Sequence, residues 1–309
     1  MPAEQLSYSG VHTALPTPFS AGGEQVDYEQ LDAQVRYQAS GGVRGVVPCG
    51  TTGETSALSE EERRGVISRV VKAADPLGLT VIAGAGSNAT AKAIDYQHEA
   101  EDLGVDATLQ VVPYYNKPSQ EGLYRHFHAI ADIARVPIVL YDVPSRTGTG
   151  LTVDTVERLA RHPRIQAIKA ASGSLSFVTK IVERCNIAVL SGDDELTFPI
   201  QCLGGVGVIS VVSNLVPDAT QEMCDQVNRG DLAMARSLHG RYHALAAALV
   251  SLDSNPVPLK SAMAMLGRDS GVVRPPLAPM DSSGSRVMHA LLEETGVASF
   301  SEQTGVRLK

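Results

Sequence analysis

The chain reads VPIVLYDVPSRTG at residues 136–148 and, after a helix-length interval, IQAIKAASG at residues 165–173. Two short apolar runs, residues 138–140 and 165–168, each give way at once to polar residues. Tyr141, Asp142, Ser145 and Arg146 follow the first, and Lys169 follows the second. Short runs that are apolar without alternation read as parallel strands buried on both faces. Between them, Val153, Val156, Leu159 and Ala160 within residues 151–162 have the spacing of a crossover helix. Lys169 thus stands where a barrel strand ends and opens onto the face that carries chemistry. Burying an amine there favours its neutral form, the nucleophile that attacks a carbonyl. Tyr141 ends the preceding strand, in position to move protons beside Lys169. Taken singly, a strand-end lysine can as readily reach solvent, and a buried tyrosine can be core filler.

Outward from this unit the same alternation recurs. Apolar runs at residues 11–15, 43–47, 80–83, 108–112, 189–190 and 208–212 join the first two, with helical intervals between them. Residues 28–39 form an amphipathic helix closed by Gly41 and Gly42, and Ser59 with Glu62 forms a capping box at the next. After Val212 the alternation stops, and residues 218–228, 232–252, 257–266 and 285–294 read as helices. The expected fold is α/β: one eightfold β/α (TIM) barrel over residues 8–215, a C-terminal helical segment over 216–298, and a tail at 299–309 without periodicity.

A chain of 309 residues accommodates a barrel of about 250 with tens of residues to spare. Its net charge of −8 excludes a broad basic surface for nucleic acid. The four cysteines, at 49, 185, 202 and 224, form no CxxC pair. That spacing argues against a zinc site or a disulfide framework and suits a reducing cytoplasm. The sequence has neither a secretory leader at its start nor an apolar run of about 18 residues, so a membrane span is not expected. His239 and His243 have the spacing of a helical metal pair, but Gly240 stands where HExxH has its glutamate, and no metal is expected. His126 and His128, two apart on a helix, cannot easily share a ligand. Asp193, Asp194 and Glu195 precede a helix, and capping with dipole compensation accounts for them.

Three further stretches carry candidate chemistry. In CGTTGE, residues 49–54, two glycines flank adjacent threonines, so amides and hydroxyls can approach a small anion closely. The stretch lacks the lysine and spacing of a nucleotide-binding P-loop, and ordinary turn chemistry is the plainer reading of it alone. PYYNKP, residues 113–118, closes the fourth strand with two tyrosines. Arg146 lies in a loop rich in proline and glycine, where a guanidinium suits bidentate capture of a carboxylate or simply stays solvated.

These motifs, extended by PYYNKPSQEGLYRHF at 113–127, LSGDD at 190–194 and GGVGVISV at 204–211, resemble the dihydrodipicolinate synthase family of class I, lysine-dependent aldolases. The resemblance runs in unbroken order over residues 8–296. It implies that Lys169 forms a Schiff base with pyruvate and that Tyr141 moves protons, relayed through Thr51 to Tyr115, which reaches across a subunit interface. By the same resemblance Thr52 binds the pyruvate carboxylate, Arg146 grips the carboxylate of the aldehyde, and Gly192 and Ile209 shape the pocket through their backbone. Arg146 is also the residue that separates synthase-like members from sialic acid lyase-like relatives. The implied reaction joins pyruvate to aspartate 4-semialdehyde on the route to diaminopimelate and lysine, in a homotetramer. It needs no cofactor, because the imine nitrogen is itself the electron sink.

Two positions depart from the family pattern: Ala170 replaces a glutamate and Asp142 an asparagine. They leave room for an aldolase or dehydratase acting on another 2-oxo acid, such as 4-hydroxy-2-oxoglutarate or a sugar acid, and for a silent barrel that only binds one. In the family's lysine-binding pocket Asn88 and Tyr114 match, but Lys92 stands at the acidic position. A cation there repels the ammonium groups of lysine, so the resemblance implies weak or absent inhibition.

Overall fold

The apolar runs fold into eight parallel strands that close on themselves, β1 pairing with both β2 and β8 in a computed structural model that describes residues 6–297. The chain order is β1 (Gly10–Ala14), α1 (Tyr28–Ser40), β2 (Gly45–Val47), α2 (Glu60–Ala74), β3 (Thr80–Gly84), α3 (Thr90–Asp102), β4 (Ala107–Val111) and α4 (Gln120–Ile133). Then come β5 (Ile138–Asp142), α5 (Pro144–Thr147), α6 (Val153–Leu159), β6 (Ile165–Ala170), α7 (Leu175–Arg184), β7 (Ala188–Ser191), α8 (Thr197–Cys202) and β8 (Gly207–Ser210). Four helices follow: α9 (Pro217–Arg229), α10 (Leu232–Ser251), α11 (Val257–Met265) and α12 (Ser282–Glu294). The expected tail at residues 299–309 lies outside the described residues.

Alternation along each strand explains why the runs are apolar throughout. Val139, Ala167, Leu190 and Ile209 fill the barrel interior, while Ile138, Leu140, Ile165 and Ile168 face out against Leu123, Phe127, Val156 and Leu159 of the surrounding helices. Each valine, leucine, isoleucine or phenylalanine among them, removed from water, contributes about 1.5–3 kcal/mol. Where β8 meets β1 the backbones come very close: a Cβ on Gly207 would lie 2.0 Å from the Gly10 carbonyl oxygen, so only glycine closes the barrel there.

The elements differ from expectation where side chains intervene. The last strand stops at Ser210 rather than Val212, because the N–H groups of Val211 and Val212 donate to Asp194 Oδ2 (2.8 and 2.9 Å) instead of continuing the ladder. The helix expected over residues 151–162 spans only Val153–Leu159, N-capped by the Thr152 hydroxyl. The helix expected from residue 285 begins at Ser282, where Asp281 accepts from the N–H of Gly284 (2.7 Å). The Ser59–Glu62 capping box forms as expected.

Among the described residues nothing after Ser210 is strand, and the helical segment that we propose to start at residue 216 comprises α9 to α12. Its first helix packs back on the barrel, where Gln221 Oε1 accepts from the N–H of Val11 (3.0 Å). The other three pack together around Leu245, Leu249, Leu259, Met263, Met288 and Leu292, and α10 lies against the turn at Asp194–Leu196. That placement brings the α10–α11 connection to the end of the barrel where the strands finish. No helix of the described residues is long and apolar enough to cross a membrane.

Candidate active site

The parallel register of β5 and β6 sets Tyr141 opposite Lys169 and Asp142 opposite Ala170. Since Val139 and Ala167 face the barrel interior, alternation sends Tyr141 and Lys169 inward as well. Lys169 Nζ lies 4.4 Å from the centroid of the Tyr141 ring, and the two side chains are 6% and 7% exposed. Among the described residues Lys169 forms no ion pair. Asp193 and Asp194 are its electrostatic neighbours: burial pushes both carboxyls above the usual range, and the Lys169 charge partly opposes the rise. An enclosed, unpaired amine beside a phenol has the makings of an imine-forming site.

Gly192, after β7, shapes this pocket by lacking a side chain. A Cβ there would lie 2.6 Å from Ala171 Cβ and 3.1 Å from Lys169 Cε, so any larger residue would push on the lysine stem. Its N–H donates to the Ala170 carbonyl (2.7 Å). Ile209, fully buried, closes the pocket from β8.

The CGTTGE loop stands at the end of β2 with two non-glycine residues in the left-handed region, Cys49 (φ 55°) and Glu54 (φ 51°). Each such residue costs about 1–2 kcal/mol, so the surroundings must hold the loop in place. They do so at three points. Thr17 Oγ1 donates to the Gly53 carbonyl (2.7 Å). Asn255 Nδ2 donates to Thr52 Oγ1 (3.0 Å). The Glu54 carboxylate accepts from Lys260 Nζ (2.7 Å) and from the N–H of Arg274 (2.9 Å). Lys260 and Glu54 are both fully enclosed, and Lys260 also donates to the Thr17 carbonyl (2.8 Å) and lies over the Phe19 ring. Sequence reasoning missed Asn255, Lys260 and Arg274. The available signal was a lone charge, a lysine, in the largely apolar α11, VPLKSAMAM.

Arg146 is exposed and has no carboxylate partner among the described residues; it rides on the single turn of α5 rather than on an irregular loop. That turn is pinned by Leu151 N–H donating to Asp142 Oδ1 (2.8 Å) and by Thr147 Oγ1 donating to the carbonyls of Val143 and Thr149 (3.0 and 2.6 Å). Asp142 therefore points away from the pocket. Burial pushes its carboxyl up to about 6, from an ordinary 3.8, with the Leu151 N–H opposing. A carboxyl raised in the folded state favours folding only while protonated, so that contribution fades as pH rises from about 4 to about 6. D142N, which does not titrate, is expected to gain stability over the native chain across that window. The gain approaches about 3 kcal/mol above pH 7, at ~1.4 kcal/mol per pH unit, and vanishes below pH 4. Urea unfolding across pH 4–8 measures it, and a pH-independent difference would rule it out.

Tyr115 is 89% exposed with φ 73°, and among the described residues no hydrogen bond joins it to Thr51 or Tyr141. The chain thus unites Lys169, Tyr141, Gly192 and Ile209 and holds Thr52 on an anchored loop, but it leaves Tyr115 and Arg146 projecting. The acidic stretch meets expectation in part: Asp193 stands at the N-cap position of the turn Asp194–Leu196 and Asp194 and Glu195 in its first turn, but no side chain caps it, and Asp194 fastens the start of the segment after β8. The rings of His239 and His243 lie tilted against each other with centroids 5.3 Å apart, and no group of three or more potential metal ligands occurs among the described residues. Lys92 pairs with Glu60 and lies over the Tyr96 ring.

The profile of the "Dihydrodipicolinate synthetase family" matches residues 7–295. The chain is similar to 4-hydroxy-tetrahydrodipicolinate synthase of Geobacter metallireducens, 44% identical over 93% of this chain and 98% of that one. It is also similar to a crystal structure of dihydrodipicolinate synthase from Acinetobacter baumannii complexed with pyruvate (TM-score 0.91, 38% identity, 94% of this chain and 100% of that one). A third match is a Cyanidioschyzon merolae structure with lysine bound (TM-score 0.91, 39% identity, 94% of this chain and 99% of that one).

Proposed function

This chain belongs to the dihydrodipicolinate synthetase family, and on that basis we propose that Lys169 is the amine through which it condenses pyruvate with aspartate 4-semialdehyde to give 4-hydroxy-tetrahydrodipicolinate. It is a lyase of diaminopimelate and lysine biosynthesis. The observation that carries the assignment is the β5–β6 rung that sets Lys169 beside Tyr141 inside the barrel.

The chemistry follows from those two groups. The Lys169 amine adds to the ketone carbon of pyruvate, and protons moved by the Tyr141 hydroxyl let the carbinolamine lose water to form the imine. Loss of a methyl proton gives an enamine, whose carbon bonds to the aldehyde carbon of the second substrate. The amino group of that substrate then attacks the imine carbon and expels Lys169, closing the ring. Thr52 on its anchored loop holds the pyruvate carboxylate, and Arg146, whose guanidinium has no carboxylate partner among the described residues, receives the carboxylate of the aldehyde. Gly192 and Ile209 leave the space that pyruvate fills. Thr51 and the exposed Tyr115 extend the proton relay between subunits. That relay requires a dimer, which we place within a homotetramer; the exposure of Tyr114 and Tyr115 supports an interface there. Four free cysteines support a cytoplasmic setting.

Another 2-oxo acid as substrate is less well supported. Both departures from the family pattern, Asp142 and Ala170, occupy one rung, and the Asp142 side chain turns outward to Leu151. Steady-state condensation coupled to the downstream reductase tests the reading. Turnover above about 1 s⁻¹ is expected. Negligible turnover with Lys169 still trapped by pyruvate would point to a different acceptor, and reversible pyruvate binding without imine formation would point to a silent barrel.

The Lys92–Glu60 pair supports a regulatory prediction. With its own cation already engaged there, the chain is expected to keep nearly full activity at millimolar lysine in the same coupled assay. Half-inhibition at sub-millimolar lysine would refute this.

A further inference from the structure

Thr52 has a partner that reaches it from the far end of the chain. Asn255, in the connection between α10 and α11 and 203 positions away, is buried and donates from Nδ2 to Thr52 Oγ1 at 3.0 Å. The direction of that bond matters. With Nδ2 facing it and Oδ1 of the same amide buried without a partner, the threonine oxygen accepts, which leaves the single hydroxyl proton for another acceptor. Among the described residues the Thr52 hydroxyl donates to nothing. A carboxylate accepts only, and is the natural complement.

Resting on the reading above, in which Thr52 meets the pyruvate carboxylate, we infer that Asn255 is a positioning residue that commits the Thr52 hydroxyl to donate to that carboxylate. Asn255 is itself held in place, because Lys260, five positions further on in α11, is fastened to Glu54 of the same loop. The loop is therefore gripped at Thr52 and at Glu54 by neighbouring parts of one segment, which fixes both the place of the hydroxyl and its polarity.

The test measures the KM of each substrate for the native chain, N255A, N255D, T52V and the double variant T52V/N255A. N255A is expected to raise the KM for pyruvate about tenfold, the worth of one hydrogen bond to a charged group, while the KM for the aldehyde stays within about twofold. N255D keeps the shape but accepts where the amide donates, and it sets a negative charge near the bound carboxylate. It is expected to raise the KM for pyruvate further, by about thirtyfold or more. In the T52V background N255A should change the KM for pyruvate no further. Equal rises for both substrates, independent effects of the two substitutions, or a T52V variant with native KM for pyruvate would overturn the inference. Should N255A not fold, N255D decides alone, and a native KM for pyruvate sinks the idea. Borohydride trapping of pyruvate on the native chain separates the two layers. Without an adduct on Lys169 both readings fall together, whereas an adduct with unshifted variants removes only the role of Asn255.

Discussion

K169A is expected to abolish trapping of pyruvate by borohydride and to lower kcat on the order of 10⁴-fold or more, because it removes the amine proposed as the nucleophile. Among the described residues the one other buried lysine cannot substitute. Lys260 is enclosed and committed to Glu54 and the Thr17 carbonyl, and the Arg146 guanidinium is not a nucleophile at neutral pH. K169R should fail equally, since it restores charge but not an amine that can lose its proton. The substitution also removes the positive charge that opposes the rise of Asp193 and Asp194, so both carboxyls should move still higher in K169A. Mass spectrometry of the reduced protein reads the adduct directly. A pyruvate adduct that survives in K169A would sink the assignment.

The second large effect is on stability. K260M leaves the Glu54 carboxylate enclosed without its counter-charge, and the expected cost is about 3–5 kcal/mol. Burial pulls Lys260 below the ordinary lysine range while Asp269 and Glu54 hold it up, as expected of a pair whose members depend on one another. The Arg274 N–H still reaches Glu54, so the carboxylate is not wholly abandoned. K260M/E54Q removes both charges and should recover a large part of the loss, which a double-mutant cycle by guanidinium unfolding quantifies. A change below about 1 kcal/mol in K260M would show that the pair is not structural. Because Glu54 closes the loop that bears Thr52, the KM for pyruvate should rise in K260M even where the protein remains folded.

Barrel and chemistry differ in how they are written into the chain. Each strand is a short apolar run because both its faces are dry, and that property is local, so Ile138–Asp142 and Ile165–Ala170 stand out in the sequence within a residue or two. Lys169 and Tyr141 stand out for the same reason, as polar residues where apolar runs stop. What stayed hidden depends on separation. Asp194 ends β8 from 17 and 18 positions away, so the run at residues 208–212 looked longer than the ladder is. Lys260 and Glu54 are 206 positions apart, and nothing near either announces the other. The single turn of α5 is too short for periodicity to reveal, and its form comes from Asp142 reaching to Leu151.

The grip of the last helices on the CGTTGE loop has a consequence for synthesis. A nascent chain that has emerged to residue 215 possesses every strand, the lysine and the tyrosine, yet Asn255, Lys260 and Arg274 are still to be translated. Until they appear, Thr52 and Glu54 lack the partners that hold their strained loop. Having all eight strands is therefore not enough to fix that loop, which is held only once residues 255–274 have been made.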